Sequence, residues 1–231
     1  MKTCYLLKDR LKSIARVVLL TKSEIRGSWA QCQEDLIIDT LFRENYGIRK
    51  IKYMEIGANA PKWLSNTYYF YRNNGRGVLV EPNPTLCRKL KKYRKRDIVL
   101  NVGIANSDGY LSYFEMDTST LNSFSEEYAK QLEEQGYKII DKKEIRVIPI
   151  GNIFKKYGKF DYISIDTEGI DFEILKMIDY QKYAPYVICI ETQEFQVERK
   201  RDDFQEINEF MKSKGYYIYM DTGINTIYAK R

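Results

Sequence analysis

Residues 160–175 read FDYISIDTEGIDFEIL. The first six form a short, mostly apolar run, and DFEILKMI (171–178) then carries apolar residues at helical spacing. A run of that length without strict polar alternation suits a strand covered on both faces. Sheets covered on both faces are built from parallel strands and crossover helices, and their ligands bind outside the carboxyl ends of the strands. Asp166, Glu168 and Asp171 thus place three carboxylates within six positions at a ligand-binding edge. A hydrophobic core gains nothing from such charge, whereas a site does.

The alternation extends in both directions. Before this stretch, YMEI (53–56) reads as a strand, LSNTYYFYRNN (64–74) as a helix closed by Gly75, and GVLVEP (77–82) as a strand. Residues 84–95 read as a helix and DIVLNV (97–102) as a strand. YLSYFEM (110–116) follows the turn signal SDG and is expected to form a hairpin. Residues 124–135 read as a helix, and EIRVIPI (144–150) alternates as an exposed or edge strand does. After it, YVICIE (186–191) is a second buried strand, DFQEINEFMKSKG (203–215) a helix ending on glycine, and YYIYMD with NTIYAK a closing hairpin. No Gly/Ser/Pro-rich linker and no repeat divides the 231 residues. The expected architecture is one α/β domain over 30–231 with a doubly wound, mostly parallel sheet, preceded by a basic helical extension over 1–29. Glu55, Glu81 and Glu191 also lie near the ends of their strands, so several carboxylates face one crevice.

Composition removes several chemistries. There is no histidine, hence no imidazole base or ligand. Cys4, Cys32, Cys87 and Cys189 are scattered without a CxxC pair, which excludes zinc and iron–sulfur spacing. Reduced thiols in a cytoplasmic protein are the expectation. Lys plus Arg exceed Asp plus Glu by 38 to 32, a mild excess that favours an anionic small molecule and not a nucleic acid. The excess gathers in the first 26 residues and in RKLKKYRKR (88–96). There Leu86, Leu90 and Tyr93 recur at helical spacing, as in an amphipathic helix with a solvated basic face; a glycan-phosphate or membrane-surface contact is the functional alternative. IARVVLL (14–20) is too short to span a bilayer, which takes about 20 residues. Its segment is expected to dock on the core, on a second subunit in a homodimer, or peripherally on a membrane.

The turn MEIGANAPKWLSN (54–66) lacks the GxGxxG pattern of dinucleotide folds. Gly57 permits a close backbone turn, Glu55 can accept from an ammonium group, and VEPNP (80–84) puts Glu81 where a ribose diol lies. This suits S-adenosylmethionine better than a dinucleotide, because no phosphate needs a glycine cradle and a sulfonium favours acidic surroundings.

EIGAN (55–59), VEPNP (80–84), NVGIANSDG (101–109), LNS (121–123) and IDTEGIDFEIL (165–175), with AQCQEDL (30–36) upstream, together resemble the FkbM-type S-adenosylmethionine-dependent methyltransferases. The resemblance covers roughly residues 30–230. It implies a class I methyltransferase (Rossmann-like) fold, a seven-stranded sheet with one antiparallel strand, and O-methylation of sugars, polyketides or related secondary metabolites. It implies that Glu55, Gly57, Ala58 and Asn59 line the methionine part of the cofactor, with Asn66 also among the cofactor-binding residues. Glu81 would hold the ribose with Asn83 just beyond, Asn101 and Val102 would lie by the adenine, and Asp166, Thr167, Glu168 and Gly169 beside the methyl group and the acceptor. Three departures stand out: Ala60-Pro61 follows GAN where x-Gly is common, Ala30 replaces a serine, and Glu55 replaces the commoner aspartate.

Methyl transfer to a hydroxyl needs an aligned acceptor and a destination for its proton. A sugar hydroxyl is a far weaker acid than a carboxyl group. Either a carboxylate accepts the proton as attack proceeds, or a divalent cation acidifies the hydroxyl. Asp166, Glu168 and Glu191 are the expected catalytic residues. Asp166 and Glu191, ending neighbouring strands, are also the expected ligands of a hard ion such as Mg²⁺. The bland alternatives are a helix cap for Asp166, a surface lysine pair for Glu168, the helix dipole for Asp171 and an ordinary loop for DTSTLNS (117–123). The expected acceptor is a sugar or nucleotide-sugar of polysaccharide biosynthesis, not a nucleic acid. A protein or nucleic-acid methyltransferase is opposed by the lack of an NPPY-type turn and of a continuous basic stripe. A non-catalytic module is opposed by the cost of keeping several carboxylates desolvated.

Overall fold

The computed structural model describes residues 27–193 and 201–231. The expected N-terminal extension lies outside the described residues as far as Arg26. Ser28 and Ala30 are already buried. Asp35 ties that corner down, accepting from Ser28 Oγ (2.5 Å) and Trp29 N–H (2.8 Å).

Helix α1 (Glu34–Leu41) ends in one π-helical turn, Phe42–Tyr46, and leads into β1 (Lys52–Ile56). Next come α2 (Tyr68–Arg72), β2 (Arg76–Val80), α3 (Pro84–Tyr93) and β3 (Ile98–Leu100). An insertion of β4 (Gly103–Ile104), β5 (Gly109–Met116), α4 (Glu126–Glu134) and β6 (Ile139–Ile148) precedes α5 (Ile150–Tyr157) and β7 (Tyr162–Ile165). The chain closes with α6 (Asp171–Lys176), α7 (Tyr180–Tyr183), β8 (Val187–Glu191), α8 (Phe204–Ser213), β9 (Tyr216–Asp221) and β10 (Asn225–Lys230).

The main sheet has seven strands in the order β3-β2-β1-β7-β8-β10-β9. All pairs from β3 to β8 are parallel, and β10 runs antiparallel to both β8 and β9. This is the expected class I arrangement. Its direction of winding reverses between β1 and β7, where Glu55 stands opposite Ser164 and Ile56 opposite Ile165. The inner strands β1, β2, β7, β8 and β10 are buried on both faces, while the edge strands β3 and β9 are partly exposed. Met54, Ile56, Val80, Ile163 and Ile165 pack with Phe154 of α5, Leu175 of α6 and Met211 of α8. Tyr53, Leu79, Tyr162 and Cys189 pack with Leu41 of α1, Phe70 of α2 and Leu90 of α3. Among the described residues no helix is long and apolar enough to cross a membrane.

Three local expectations fail for identifiable reasons. Helix α2 starts at Tyr68, not Leu64, because Ser65, Asn66 and Thr67 are pulled onto Glu55. The expected hairpin at SDG does not close on itself: β5 pairs antiparallel with β6, and β4 lies parallel on the other side of β6. EIRVIPI is therefore central in a three-stranded sheet and not an edge, and its exposed alternation comes from one solvated sheet face. Helix α5 has no expected counterpart, although Ile150, Ile153 and Phe154 form its buried stripe.

Arg94, fully buried, organises the loop before α2. Its Nε lies 2.9 Å from Asp97 Oδ2, and its guanidinium donates to Thr67 Oγ1 (2.9 Å), Ser65 Oγ (3.2 Å) and the Pro61 carbonyl (3.2 Å). Asp97 in turn accepts from Tyr53 OH (2.8 Å) and Gly77 N–H (2.9 Å). Breaking a buried pair leaves the partner charge uncompensated, so Asp97→Asn is expected to cost about 3–5 kcal/mol in urea unfolding. Gly57 makes a second demand. It has φ +84°, and a Cβ there would sit 1.7 Å from the Asp166 carbonyl oxygen. Gly57→Ala is expected to lose about 3 kcal/mol or more by the same measurement, through backbone strain and overlap with a main-chain atom that cannot swing away.

Candidate active site

The carboxyl edge at the β1/β7 reversal gathers the expected residues. Gly57 and Ala58 turn over β2, both donating to the Val80 carbonyl (3.0 and 3.2 Å), and Ala58 packs into the core. Asn59 adopts a left-handed conformation (φ 42°) and aims its N–H at Glu81 Oε2, 2.7 Å away. The other Glu81 oxygen accepts from Asn83 N–H at 2.8 Å. Glu81 is 2% exposed, and burial pushes its carboxyl up to about 7 against the pull of the two amides. Asn83 caps α3 through Thr85 and Leu86 N–H and donates to Glu115 of the insertion (3.0 Å). Asn101 braces the same turn, donating to the Glu81 and Pro82 carbonyls (2.9 and 2.7 Å). Asn101 and Val102 also line a groove of about 330 Å³ along β3, walled by Ile148, Asn152 and Tyr157.

Glu55 is turned toward the chain's own loop. It accepts from Thr67 Oγ1 (2.6 Å), Asn66 N–H (3.0 Å) and Ser65 Oγ (3.2 Å). Burial raises its carboxyl, and the Arg94 charge opposes that rise. Asn66 donates to Ser164 Oγ (3.0 Å), while its own carbonyl oxygen is buried without a hydrogen-bond partner.

Asp166, Glu168 and Glu191 converge from the ends of β7 and β8, each offering one carboxylate oxygen within 4.8 Å of the others. The residues keep part of their surface in solvent, yet their carboxyl ends lie among packed atoms. Burial, then the neighbouring Asp171 charge, pushes Asp166 up to about 7. Burial followed by the adjacent carboxylates holds Glu168 and Glu191 well above the usual range. Asp166 does not cap the next helix: α6 has no side-chain cap, and Asp171 instead accepts from Thr167 N–H (2.7 Å) and Thr167 Oγ1 (2.8 Å). The Thr167 hydroxyl is therefore held inside the turn. Glu168 does not meet a surface lysine; its Oε2 accepts from Tyr128 OH at 2.5 Å. It sits at φ 52°, a costly conformation for a residue with a side chain, followed by Gly169 at φ 111°. Ser123 Oγ donates to the Glu168 carbonyl (2.6 Å), so DTSTLNS reaches the cluster through its last residue.

Two participants were not singled out from the sequence. Arg201 lies 2.7 Å from Asp171 and 2.9 Å from Asp203, and its charge opposes protonation of the carboxylate cluster. Tyr128 arrives on α4, whose pattern reads as an ordinary amphipathic helix. The only local hint of either is the charge cluster RDD at 201–203.

Comparison with known proteins adds the family. The Methyltransferase FkbM domain matches residues 55–218. No curated protein matches the chain. Among solved structures, a precorrin-6y C5,15-methyltransferase of Geobacter metallireducens is similar at 14% identity and TM-score 0.47, over 86% of this chain and 89% of that one. A Bacillus cereus O-methyltransferase in complex with S-adenosylhomocysteine is similar at 16% and 0.41, over 86% and 78%. A Methanococcus jannaschii fibrillarin pre-rRNA processing protein is similar at 16% and 0.44, over 79% and 67%. The family match spans well over half of the chain, from the Glu55 turn into the β9 strand, and takes in most of the seven-stranded sheet. The chain belongs to the FkbM family of S-adenosylmethionine-dependent methyltransferases.

Proposed function

We propose that this methyltransferase methylates a hydroxyl oxygen of a small carbohydrate acceptor, a sugar or nucleotide-sugar, and that Asp166, Glu168 and Glu191 handle the acceptor's proton. The observation that carries the reading is the convergence of those three carboxylates within 4.8 Å beside the β1/β7 reversal. Carboxylates so close cannot all ionise without a counter-charge. Their raised pKa values are what a group needs to accept a proton near neutral pH.

The residues present fit the cofactor. Gly57 lets the β1 turn pass directly against the Asp166 backbone, which sets the two turns side by side at one edge. Asn66 holds a buried, unpartnered carbonyl oxygen, a cost of about 1–3 kcal/mol that a donor such as the cofactor's ammonium group removes. Each Glu81 oxygen accepts one amide and retains a lone pair for a ribose hydroxyl. When bound, S-adenosylmethionine supplies an electrophilic methyl group on a sulfonium leaving group. Glu81 and Asn59 would hold its ribose, and the groove beside Asn101 and Val102 has the size and partly apolar lining for a purine. The oxygen-only cluster also suits Mg²⁺, which Asp166 and Glu191 would hold beside Glu168 and which would lower the pKa of a bound hydroxyl.

Three measurements test this. With methyl-labelled cofactor and a panel of nucleotide-sugars, Asp166→Asn is expected to lower turnover at least about 100-fold while S-adenosylhomocysteine still binds. Label appearing only in protein or RNA, or an active Asp166→Asn, would overturn the carbohydrate reading or the base assignment respectively. In calorimetry, Mg²⁺ is expected to bind the parent protein, and Glu191→Gln to weaken that binding at least about tenfold; indifference to the substitution removes the cation from the site.

The third measurement uses pH. Glu81 has a folded-state value of about 7 against an ordinary 4.5. Between the two the folded protein keeps a proton that the unfolded chain has lost, so this group's contribution to stability falls as pH rises through that window. Thermal unfolding of the ligand-free protein should show that decline, and Glu81→Gln should make it shallower, the remainder coming from Asp166, Glu168 and Glu191. Saturating S-adenosylhomocysteine should make it shallower too, because hydroxyl donors favour the carboxylate form of Glu81.

A further inference from the structure

We propose that the flank formed by α3 and the Lys62–Trp63 turn docks on an anionic phospholipid surface. Charge on this chain is segregated. Between Ala60 and Arg96 there are ten Lys and Arg residues and a single acid, Glu81. Glu81 is buried at the carboxyl edge, and nine of the ten cations are exposed, Arg94 being the exception. This segment alone exceeds the whole chain's net charge of +6. The helix α3 concentrates it: Arg88, Lys89, Lys91 and Lys92 face solvent while Leu86, Cys87 and Leu90 face the core. Among the described residues none of these four cations lies within ion-pair distance of a carboxylate. An unneutralised array of that kind attracts an external anion.

The shape of the array selects the anion. The exposed cations occupy the second half of α3, Arg88 to Lys92, and continue past its end as Lys95 and Arg96, with Lys62 beside Tyr93. Seven cations are more than one phosphate can neutralise, whereas a headgroup layer can meet them all. Two large aromatic side chains stand exposed in the same field, Trp63 at 46% and Tyr93 at 47%. The Lys62 ammonium lies 5.5 Å from the Tyr93 ring and so links the turn to the helix. Tryptophan and tyrosine among lysines are the residues of the membrane–water interface, with rings at headgroup level and ammonium groups reaching the phosphates.

The first described residues pack beside this flank. Trp29 stacks edge-on to Tyr68 of α2 at 5.3 Å and lies under Arg72 at 5.1 Å. Lys62 also approaches the Tyr68 ring, at 6.0 Å. The 26 residues that precede Gly27 carry seven Lys and Arg against two acids, so the patch and this segment add rather than oppose. The inference is independent of the acceptor's identity.

The test uses the full chain and phosphatidylcholine vesicles with and without phosphatidylglycerol. The protein is expected to co-sediment only with the anionic vesicles and to be released by high salt. Each basic residue near such a surface strengthens partitioning roughly five-fold. Lys89→Glu with Lys92→Glu should therefore weaken it at least about 25-fold, leaving S-adenosylhomocysteine affinity and Tm unchanged. A second readout separates this patch from residues 1–26. With Trp29→Phe, Trp63 is the sole tryptophan; its emission should shift to the blue on vesicle addition and be quenched by spin-labelled lipid. Equal binding to neutral vesicles, unaltered binding of the double variant, an unquenched Trp63, or a preference for duplex nucleic acid over vesicles would each overturn the proposal.

Discussion

The contact on which the rest depends is between two stretches of backbone. The turn after β1 passes so close to the end of β7 that a Cβ at Gly57 would lie 1.7 Å from the Asp166 carbonyl oxygen. That approach brings the β1 turn, with Asn59 and the Glu81 it reaches, beside the β7 turn, with its carboxylates. Parallel strands side by side create the proximity, and the absence of a side chain permits it. The two turns are thus joined by main chain, which moves far less than side chains do.

Buried charge takes two contrasting forms. Around Arg94 every group has partners: Asp97, Tyr53, Ser65 and Thr67 share a closed network that also settles Glu55. Such a network costs desolvation but returns it through geometry and holds the 61–67 loop in one shape. The Asp166–Glu168–Glu191 cluster is the opposite. Its carboxylates raise one another, Glu168 sits in a strained conformation, and Arg201 answers Asp171 directly but the other three only at a distance. Strain and uncompensated charge held together by a rigid frame are what a site retains at the expense of stability.

The insertion between β3 and β7 gives the cluster its wall. Its three-stranded sheet is pinned to the main body through Asn83–Glu115 and Asn59–Ser119, and its helix α4 supplies Tyr128. Ile104 and Ile148 of that small sheet pack into the same core as Met54 and Val80, so the insertion is continuous with the main body.

The sequence by itself determined the layered α/β architecture, the strands that build its centre and the carboxylates at their ends. Those follow from local causes: unbroken apolar runs such as YVICIE can be satisfied only by two-sided burial, and glycine at 57 and acids at 81, 166 and 191 sit next to such runs in the chain. Tertiary structure alone decided which donors those acids meet. Glu55 reads as a cofactor contact in its motif but is engaged by Ser65, Asn66 and Thr67, because the buried Arg94, about forty residues on, draws that loop inward. Tyr128 and Arg201 reach the cluster from 40 and 30 residues away in sequence to Glu168 and Asp171. The SDG hairpin was lost for the same reason, since β5 gains a longer ladder with β6 than with β4. Hydrophobic periodicity records which face of an element is covered, but a hydrogen bond between distant side chains leaves no period in the chain, and only the folded backbone brings its two ends together.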